Sequence, residues 1–442
     1  MAGAAGPTTF GGVRLWDTPG ATWPFIETSN NVFNFATVDS ILAAANSAGV
    51  QYAQAALART PYFATSAAGY TDGKTCLDYV ASGNLTNQAP GQCDPPSDLN
   101  SNGEGANLYW RNWVAAFAAH VNATGYSTTH ARIKVWEIWN EPDAAVSWST
   151  KYGTYDQLIR MEQDAYCIIK GGSFTVNATG ENCATVRGTV TSVALSGPID
   201  PSATIAMPSY HPQSPLLQMA QNFLYCNDNP ATSCHTGGAA QTDVMNFHMK
   251  PGNNEPTEME SVMSAWTTDI SGILQSEELA KPVYNTEGGY SGTGWTCPAS
   301  LAGFCYTDTN MQASYIARFY IYSYSLGVSN NVWYDWSPSL KGIGSTSADT
   351  AYSQVYNWMV GSTFGGCSAD GTVWTCTLTL SNGVAASAIW DTSQTCTPCT
   401  TVNQTVGNSY LSYLGLLTGA TKTTIIGHTV PVGIQPILVQ AQ

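Results

Sequence analysis

Two short runs hold the residues best suited to chemistry. Lys134-Val-Trp-Glu-Ile-Trp-Asn-Glu-Pro142 carries Glu141 near its end, and Lys281-Pro-Val-Tyr-Asn-Thr-Glu-Gly-Gly289 carries Glu287. Each carboxylate follows a β-rich apolar stretch, at what reads as the carboxyl end of a strand. In a barrel of parallel strands those ends all open on one face, so residues 146 apart in sequence can share a pocket there. Two carboxyl groups facing one another suit acetal hydrolysis: one protonates the leaving oxygen while the other attacks or activates water. At about 5 to 5.5 Å apart, ionised Glu287 is expected to raise the pKa of Glu141 and keep it protonated. When Glu287 becomes an ester its charge disappears, and Glu141 then acidifies and can serve as the base that activates water. Retention of configuration follows. The competing reading is that both are ordinary solvated or ion-paired surface glutamates.

Other side chains fall near these strand ends. Glu137 faces the same side of its strand as Glu141 but should lie deeper, as an ion-paired structural group. Arg14 either pairs with a carboxylate near the mouth or is a structural barrel arginine. His248 ends a further strand and is followed by Lys250, which either supplies a charge-assisted bond that keeps Glu287 ionised or points to solvent. The run Val332-Trp-Tyr-Asp-Trp336 offers Trp333 and Trp336 for stacking on the apolar faces of sugar rings, with core packing expected for one of the two.

The elements that would position these groups alternate between strand and helix. Strands are expected at 13–17, 50–57, 133–139, 192–196, 244–248, 283–286 and 331–336. Between them, Val38, Ile41, Leu42 and Ala45 share one helical face, as do Trp110, Trp113, Val114, Phe117 and Val121, and Met259, Val262, Met263, Trp266, Ile270 and Ile273. Thr154-Tyr-Asp-Gln157 is a capping box opening a helix through Ile169. Such alternation means parallel βα units, and no Gly-x-Gly-x-x-Gly follows any strand, which leaves the dinucleotide fold without support. Seven strands where a closed barrel needs eight point to a (β/α)8 TIM barrel that lacks or replaces its first strand. From about Gly365 the pattern changes to period two with an Asn382-Gly383 hairpin signal. The expected division is a barrel over 1–364 and a small β-sandwich-like domain over 365–442.

Composition narrows the setting. The chain has 442 residues, and its 14 Trp, 23 Tyr and 12 Phe exclude disorder. Only 10% of residues are charged, and 15 Lys and Arg against 30 Asp and Glu leave a net charge of -15. Such a chain repels phosphate backbones and anionic lipid, so no nucleic-acid partner is expected, and no apolar run is long enough for a membrane span. A surface of neutral hydrogen-bonding groups changes little when carboxylates protonate, which suits acidic surroundings. Twelve cysteines fall in sequential near neighbours: Cys76 with Cys93, Cys167 with Cys183, Cys226 with Cys234, Cys297 with Cys305, Cys367 with Cys376, and Cys396 with Cys399. Sequence alone does not fix their connectivity. Their spacing fits no zinc ribbon or finger, and disulfides imply a secreted protein, extracellular or periplasmic. Residues 1–6 lack the basic and apolar regions of a leader, so a processed or engineered terminus is expected.

From Phe10 to Gly344 the chain resembles clan A glycoside hydrolases, and most closely the family 39 group that includes β-xylosidases. The residues that carry the resemblance are Val13-Arg-Leu-Trp-Asp17, Phe33-Asn-Phe with Val38-Asp39 and Gly49, the Trp-Glu-Ile-Trp-Asn-Glu-Pro run, Phe247-His248, Asn285-Thr-Glu-Gly288 and Val332-Trp333. The resemblance implies that Glu141 is the acid/base on strand four, that Glu287 is the nucleophile on strand seven, and that Asn140 donates to the sugar 2-hydroxyl. It makes 13–17 strand two, in agreement with the missing first strand. The chain departs from the family where His248-Met-Lys250 replaces His-x-Tyr, so that Tyr290 or Tyr210 would have to supply the tyrosine. It departs again where Trp16-Asp17 replaces His-Gly, which puts Asp17 among the residues that would meet sugar hydroxyls.

The expectation is thus a secreted retaining β-glycosidase acting on a carbohydrate, with no cofactor and no metal. One alternative is a carbohydrate-binding protein on the same scaffold with impaired turnover, supported by Lys250 and the missing strand. Another is a metallohydrolase using His120, His130, His211, His235 or His248, but no HxH or HExxH spacing occurs.

Overall fold

A computed structural model describes residues 11–16, 18, 20–65, 91–144, 147–149, 153–213, 215–226, 237–251, 258–276, 279–289, 309–334, 346–396 and 399–441. The chain divides into two compact units, one of Gly11–His248 with Gly272–Thr286, the other containing Met249–Ser271 and Glu287–Gln442.

The first unit is built on parallel strands: β1 (Gly12–Leu15), β2 (Tyr52–Leu57), β3 (Arg132–Ile138), β4 (Thr204–Ala206), β5 (Met245–Phe247) and β6 (Val283–Gly288), the last running past the unit's end. β1 pairs with β2, β2 with β3, β3 with β4, and β5 with β6, all parallel. Parallel bridges from Ala206 to Val244 and from Tyr210 to Phe247 join β4 to β5. Spatial order therefore equals chain order, the winding of a βα barrel. The helices on this sheet are α1 (Ala36–Ser47), α2 (Leu108–Val121), α3 (Tyr155–Ile169) and α4 (Leu216–Tyr225). The capping box of α3 forms as expected, with Thr154 accepting from Gln157 N–H and the Gln157 side chain accepting from Thr154 N–H. Between α2 and the strands lies an aromatic core in which Trp23 stacks on Trp113 at 4.8 Å and Phe117 meets Trp136 edge-on at 5.3 Å.

One strand is displaced from expectation. The segment 192–196 is not a strand; the fourth strand is Thr204–Ala206. Thr191 and Ser192 are held instead by α2, where Asn112 Oδ1 accepts from both backbone N–H groups at 2.7 and 3.1 Å.

In the second unit, β7 (Val328–Trp333) follows α6 (Thr309–Ser325), and just past it Tyr334 N–H donates to the Gly288 carbonyl at 2.7 Å. Helix α5 (Met259–Ser276) begins in this unit. Strands β5, β6 and β7 make one sheet in that order, and no closed ring is seen among the described residues.

The chain then forms α7 (Ser347–Met359) and an antiparallel set: β8 (Thr363–Asp370), β9 (Val373–Thr379), β10 (Ala385–Asp391), β11 (Val402–Thr405), β12 (Ser412–Gly415), β13 (Lys422–Thr424), β14 (Thr429–Val432) and β15 (Ile437–Gln440). Six of these make one sheet in the order β8-β9-β10-β15-β12-β13, while β11 pairs with β14. The β9–β10 hairpin turns at Gly383, whose φ of 84° only glycine adopts without strain. Period-two alternation gives the sheet two apolar faces. Ala386, Ala388 and Trp390 pack with Ile316, Ala317 and Val355 of α6 and α7, and Ile389, Ile437 and Val439 pack with Val430 and Val432 of β14.

Cys167–Cys183, Cys367–Cys376 and Cys396–Cys399 are disulfides, as their order in the chain suggests. Cys93 and Cys226 are disulfide-bonded as well. Cys76, Cys234, Cys297 and Cys305 lie outside the described residues. No helix among the described residues is long and apolar enough to cross a membrane.

Candidate active site

Glu141 sits three residues past the last paired residue of β3, on a backbone that bends twice. Trp139 and Glu141 both have positive φ, 78° and 47°, a region that costs a side-chain-bearing residue about 1–3 kcal/mol. The surroundings enforce it. Trp139 N–H donates to the Leu57 carbonyl at 3.0 Å, its indole N–H to the Ser147 carbonyl at 2.8 Å, and its ring meets Trp148 edge-on at 4.9 Å. Glu141 N–H donates to Ser209 Oγ at 3.1 Å. A strained, clamped turn thus aims Asn140 and Glu141 off the end of the strand.

Beneath them, Arg14 grips Glu137 in a fork, Nε to Oε2 at 3.0 Å and Nη2 to Oε1 at 2.7 Å. Glu137 is fully buried, the deep structural group its spacing implies. Arg14 Nη2 also donates to Asn140 Oδ1 at 2.6 Å, so what Asn140 presents onward is its NH2 group.

Two imidazoles converge on the Glu141 carboxyl. His248 Nδ1 lies 2.6 Å and His211 Nε2 3.4 Å from the same oxygen, Oε1. Each ring is held from behind. His248 Nε2 faces Thr286 Oγ1 at 3.2 Å, and that hydroxyl spends its proton on Asn246 Oδ1 at 2.6 Å, so Nε2 is the donor. Asp143 Oδ2 accepts from His211 N–H at 2.7 Å and faces His211 Nδ1 at 3.1 Å. Both rings therefore carry a proton on the far nitrogen and turn the other nitrogen to Glu141. His248 and the Glu141 carboxyl are among the groups whose donor atoms lie close enough together to hold a metal ion.

Glu287 lies near the end of β6, 5% exposed, and accepts a short bond from the Lys250 ammonium. Lys250 also lies over the Tyr334 ring at 5.6 Å. Behind Glu287, Gly289 has φ 150°, and a Cβ there would come within 2.7 Å of the Tyr334 carbonyl oxygen, so only glycine fits.

Other residues named from sequence fall elsewhere. Trp333, one of the two tryptophans offered for sugar stacking, packs against α6, with Phe319 at 5.5 Å, Tyr315 at 6.2 Å and Tyr320 at 6.4 Å between ring centroids. Trp336, Asp17, Tyr290 and His235 lie outside the described residues. Tyr210 is fully buried. His120 bonds Asp39 at 2.7 Å, and His130 stacks on Tyr126. Sequence reasoning missed Ser209, Asp143 and the place of His211. The signal was available in the register: had the fourth strand been put at 204–206, Ser209 and His211 would have stood just past its end.

No family profile matches the chain, and no curated protein does. Solved structures do. A family 39 glycoside hydrolase from the gut symbiont Bacteroides cellulosilyticus WH2 superposes with a TM-score of 0.56 at 14% identity, covering 98% of this chain and 76% of that one. A conserved exported protein from Bacteroides fragilis gives 0.52 at 12% identity, covering 92% and 80%. At 12–14% identity the likeness is one of fold alone.

Proposed function

We propose that the protein is a secreted retaining β-glycosidase in which Glu141 is the acid/base and Glu287 the nucleophile. The observation that carries this reading is the difference between the two carboxyl environments. Glu287 has an ammonium bonded to it, which favours the ionised form a nucleophile requires. Glu141 has two imidazoles against one oxygen, each with its proton on the far nitrogen, so the near nitrogens face a carboxyl that must give a proton and later take one back. Two carboxylates whose surroundings push them toward opposite protonation states divide into acid and nucleophile.

The cycle follows. Glu287 attacks the anomeric carbon as Glu141 protonates the departing oxygen; the glycosyl ester on Glu287 is then opened by water, whose proton passes to Glu141. Asn140, with its oxygen occupied by Arg14, offers N–H to the 2-hydroxyl, a bond that strengthens in the transition state. The disulfides and the likeness to an exported protein support secretion.

Variants test the assignment on an activated aryl β-glycoside. Glu287→Gln should abolish turnover, and azide should restore Glu141→Ala with a β-glycosyl azide as product. An α-glycosyl azide, or full activity in Glu287→Gln, would refute it.

A further inference from the structure

The left-handed turn that carries Glu141 is clasped by a loop that returns to it, and the residue at the centre of the clasp lies outside the Trp-Asn-Glu-Pro run. On the reading that Glu141 is the acid/base, we infer that Trp148 is a positioning residue, which keeps Trp139 in its left-handed conformation and so sets where the Glu141 carboxyl points.

Trp139 and Glu141 hold positive φ with full side chains, so the turn relaxes unless other contacts oppose it. A change of φ at Trp139 swings everything after it, and Glu141 is only two residues on. The main chain is held by β2 and by the segment after β4: Trp139 N–H donates to the Leu57 carbonyl, and the Trp139 carbonyl accepts from Ser209 N–H at 3.2 Å. The side chain is held by the loop that follows Glu141. Its turns start at the site itself, with the Glu141 carbonyl accepting from Ala144 N–H at 2.9 Å and the Ala144 carbonyl accepting from Ser147 and Trp148 N–H at 2.8 and 3.1 Å. This brings the Ser147 carbonyl to the Trp139 indole N–H and the Trp148 ring against the Trp139 ring, closing a circle of chain from 139 to 148.

Trp148 is the member of that circle anchored beyond it. It is buried, and Ser149 N–H beside it donates to the carbonyl of Cys93 at 2.8 Å, itself a disulfide-bonded residue. At the indole edge the backbone passes so close that a Cβ on Gly153 would come within 2.2 Å of Trp148 Nε1. The ring therefore cannot shift without moving the chain around it. His211 and His248 meet the Glu141 carboxyl at its tip, whereas the backbone from which that side chain hangs is set by the clasp.

The leaving group supplies the readout, because only a departing oxygen that needs a proton depends on where Glu141 points. Wild type, Trp148→Ala and Trp148→Phe are compared on two β-glycosides of one sugar, a dinitrophenyl glycoside that departs without protonation and a methyl or unsubstituted phenyl glycoside that needs it. Trp148→Ala should lower kcat/KM on the poor leaving group roughly 10- to 100-fold, the scale of a slightly misplaced catalytic group, and change the activated one by less than about threefold. On the activated substrate kcat and KM should fall together, since the glycosyl ester then waits for the water that Glu141 activates. Trp148→Phe, which keeps an aromatic edge against Trp139, should stay within about threefold of wild type on both. Loss of folded protein alone lowers both substrates equally and does not produce this split. If Trp148→Ala does not fold, Gly153→Ala carries the test: its methyl group displaces the indole without emptying the core, and it should give the same split at smaller size. Equal losses on both substrates, or no loss on either, would overturn the inference while leaving the glycosidase reading in place. A wild-type protein that cleaves neither substrate would overturn both.

Discussion

Arg14 Nη2 donates to Asn140 Oδ1 at 2.6 Å, and that single bond sets which end of the amide faces outward. If Asn140 donates to the sugar 2-hydroxyl, then Asn140→Ala should lower kcat/KM by about 100-fold on an ordinary glycoside and leave the 2-deoxy analogue almost unaffected. Asn140→Asp accepts from Arg14 equally well but has no N–H to give, so it should resemble the alanine variant. Steady-state kinetics on the two substrates checks this, and a loss shared by both would remove the 2-hydroxyl contact.

The same arginine makes a stability prediction. Glu137→Ala strands a buried guanidinium, a change that costs about 3–5 kcal/mol when one partner of a buried pair is removed. The double variant Arg14→Met/Glu137→Leu should recover much of that loss, because a buried ion pair contributes little over apolar side chains of similar volume. Denaturant midpoints of the three proteins decide it; a single variant as stable as wild type would show that the pair is dispensable.

Acid tolerance has an identifiable source. Burial holds the Glu162 carboxyl well above its ordinary value of 4.5, with the Thr242 hydroxyl bond only partly opposing it. Folded protein therefore keeps a proton that the unfolded chain gives up above pH 4.5. The stability this contributes is present below pH 4.5 and is lost as pH rises toward the folded value. Glu27 is raised by burial in the same direction, while Glu181, held low by its bond from Arg111, loses its contribution as pH falls below its ordinary range. Melting temperature should decline from pH 4.5 upward, and Glu162→Gln should flatten that decline. An unchanged slope in the variant would place the effect elsewhere.

Much of this was legible in the sequence, for physical reasons that differ by element. The helices of 36–47, 108–121 and 155–169 announce themselves because one face must be apolar to cover a sheet, and the Thr154–Gln157 box marks a start with its own hydrogen bonds. The glutamates at 141 and 287 stand out because strand ends are where a barrel keeps its polar groups. The fourth strand did not stand out. Thr204–Ala206 has only three residues, too few to show alternation, whereas 192–196 looks like a strand and is in fact tied to α2 through Asn112. Losing that register hid His211, since its contact with Glu141 is a matter of tertiary placement that no local pattern encodes.

Lys250 replaces the tyrosine that the family resemblance leads one to expect, and its charge gives it a distinct signature. Lys250→Met removes the ammonium from Glu287 and so makes its carboxylate harder to ionise. The acid limb of the kcat/KM profile should move to higher pH, with the basic limb in place. An acid limb that stays put would mean that Lys250 does not act on the nucleophile.

The central claim is that two carboxyl groups act in succession on one anomeric carbon, and the stereochemistry of the first product reports this most directly. Proton NMR recorded in the opening minutes of aryl β-glycoside hydrolysis, before mutarotation, should show the β-anomer of the released sugar. Initial appearance of the α-anomer would contradict the double displacement and the role assigned to Glu287.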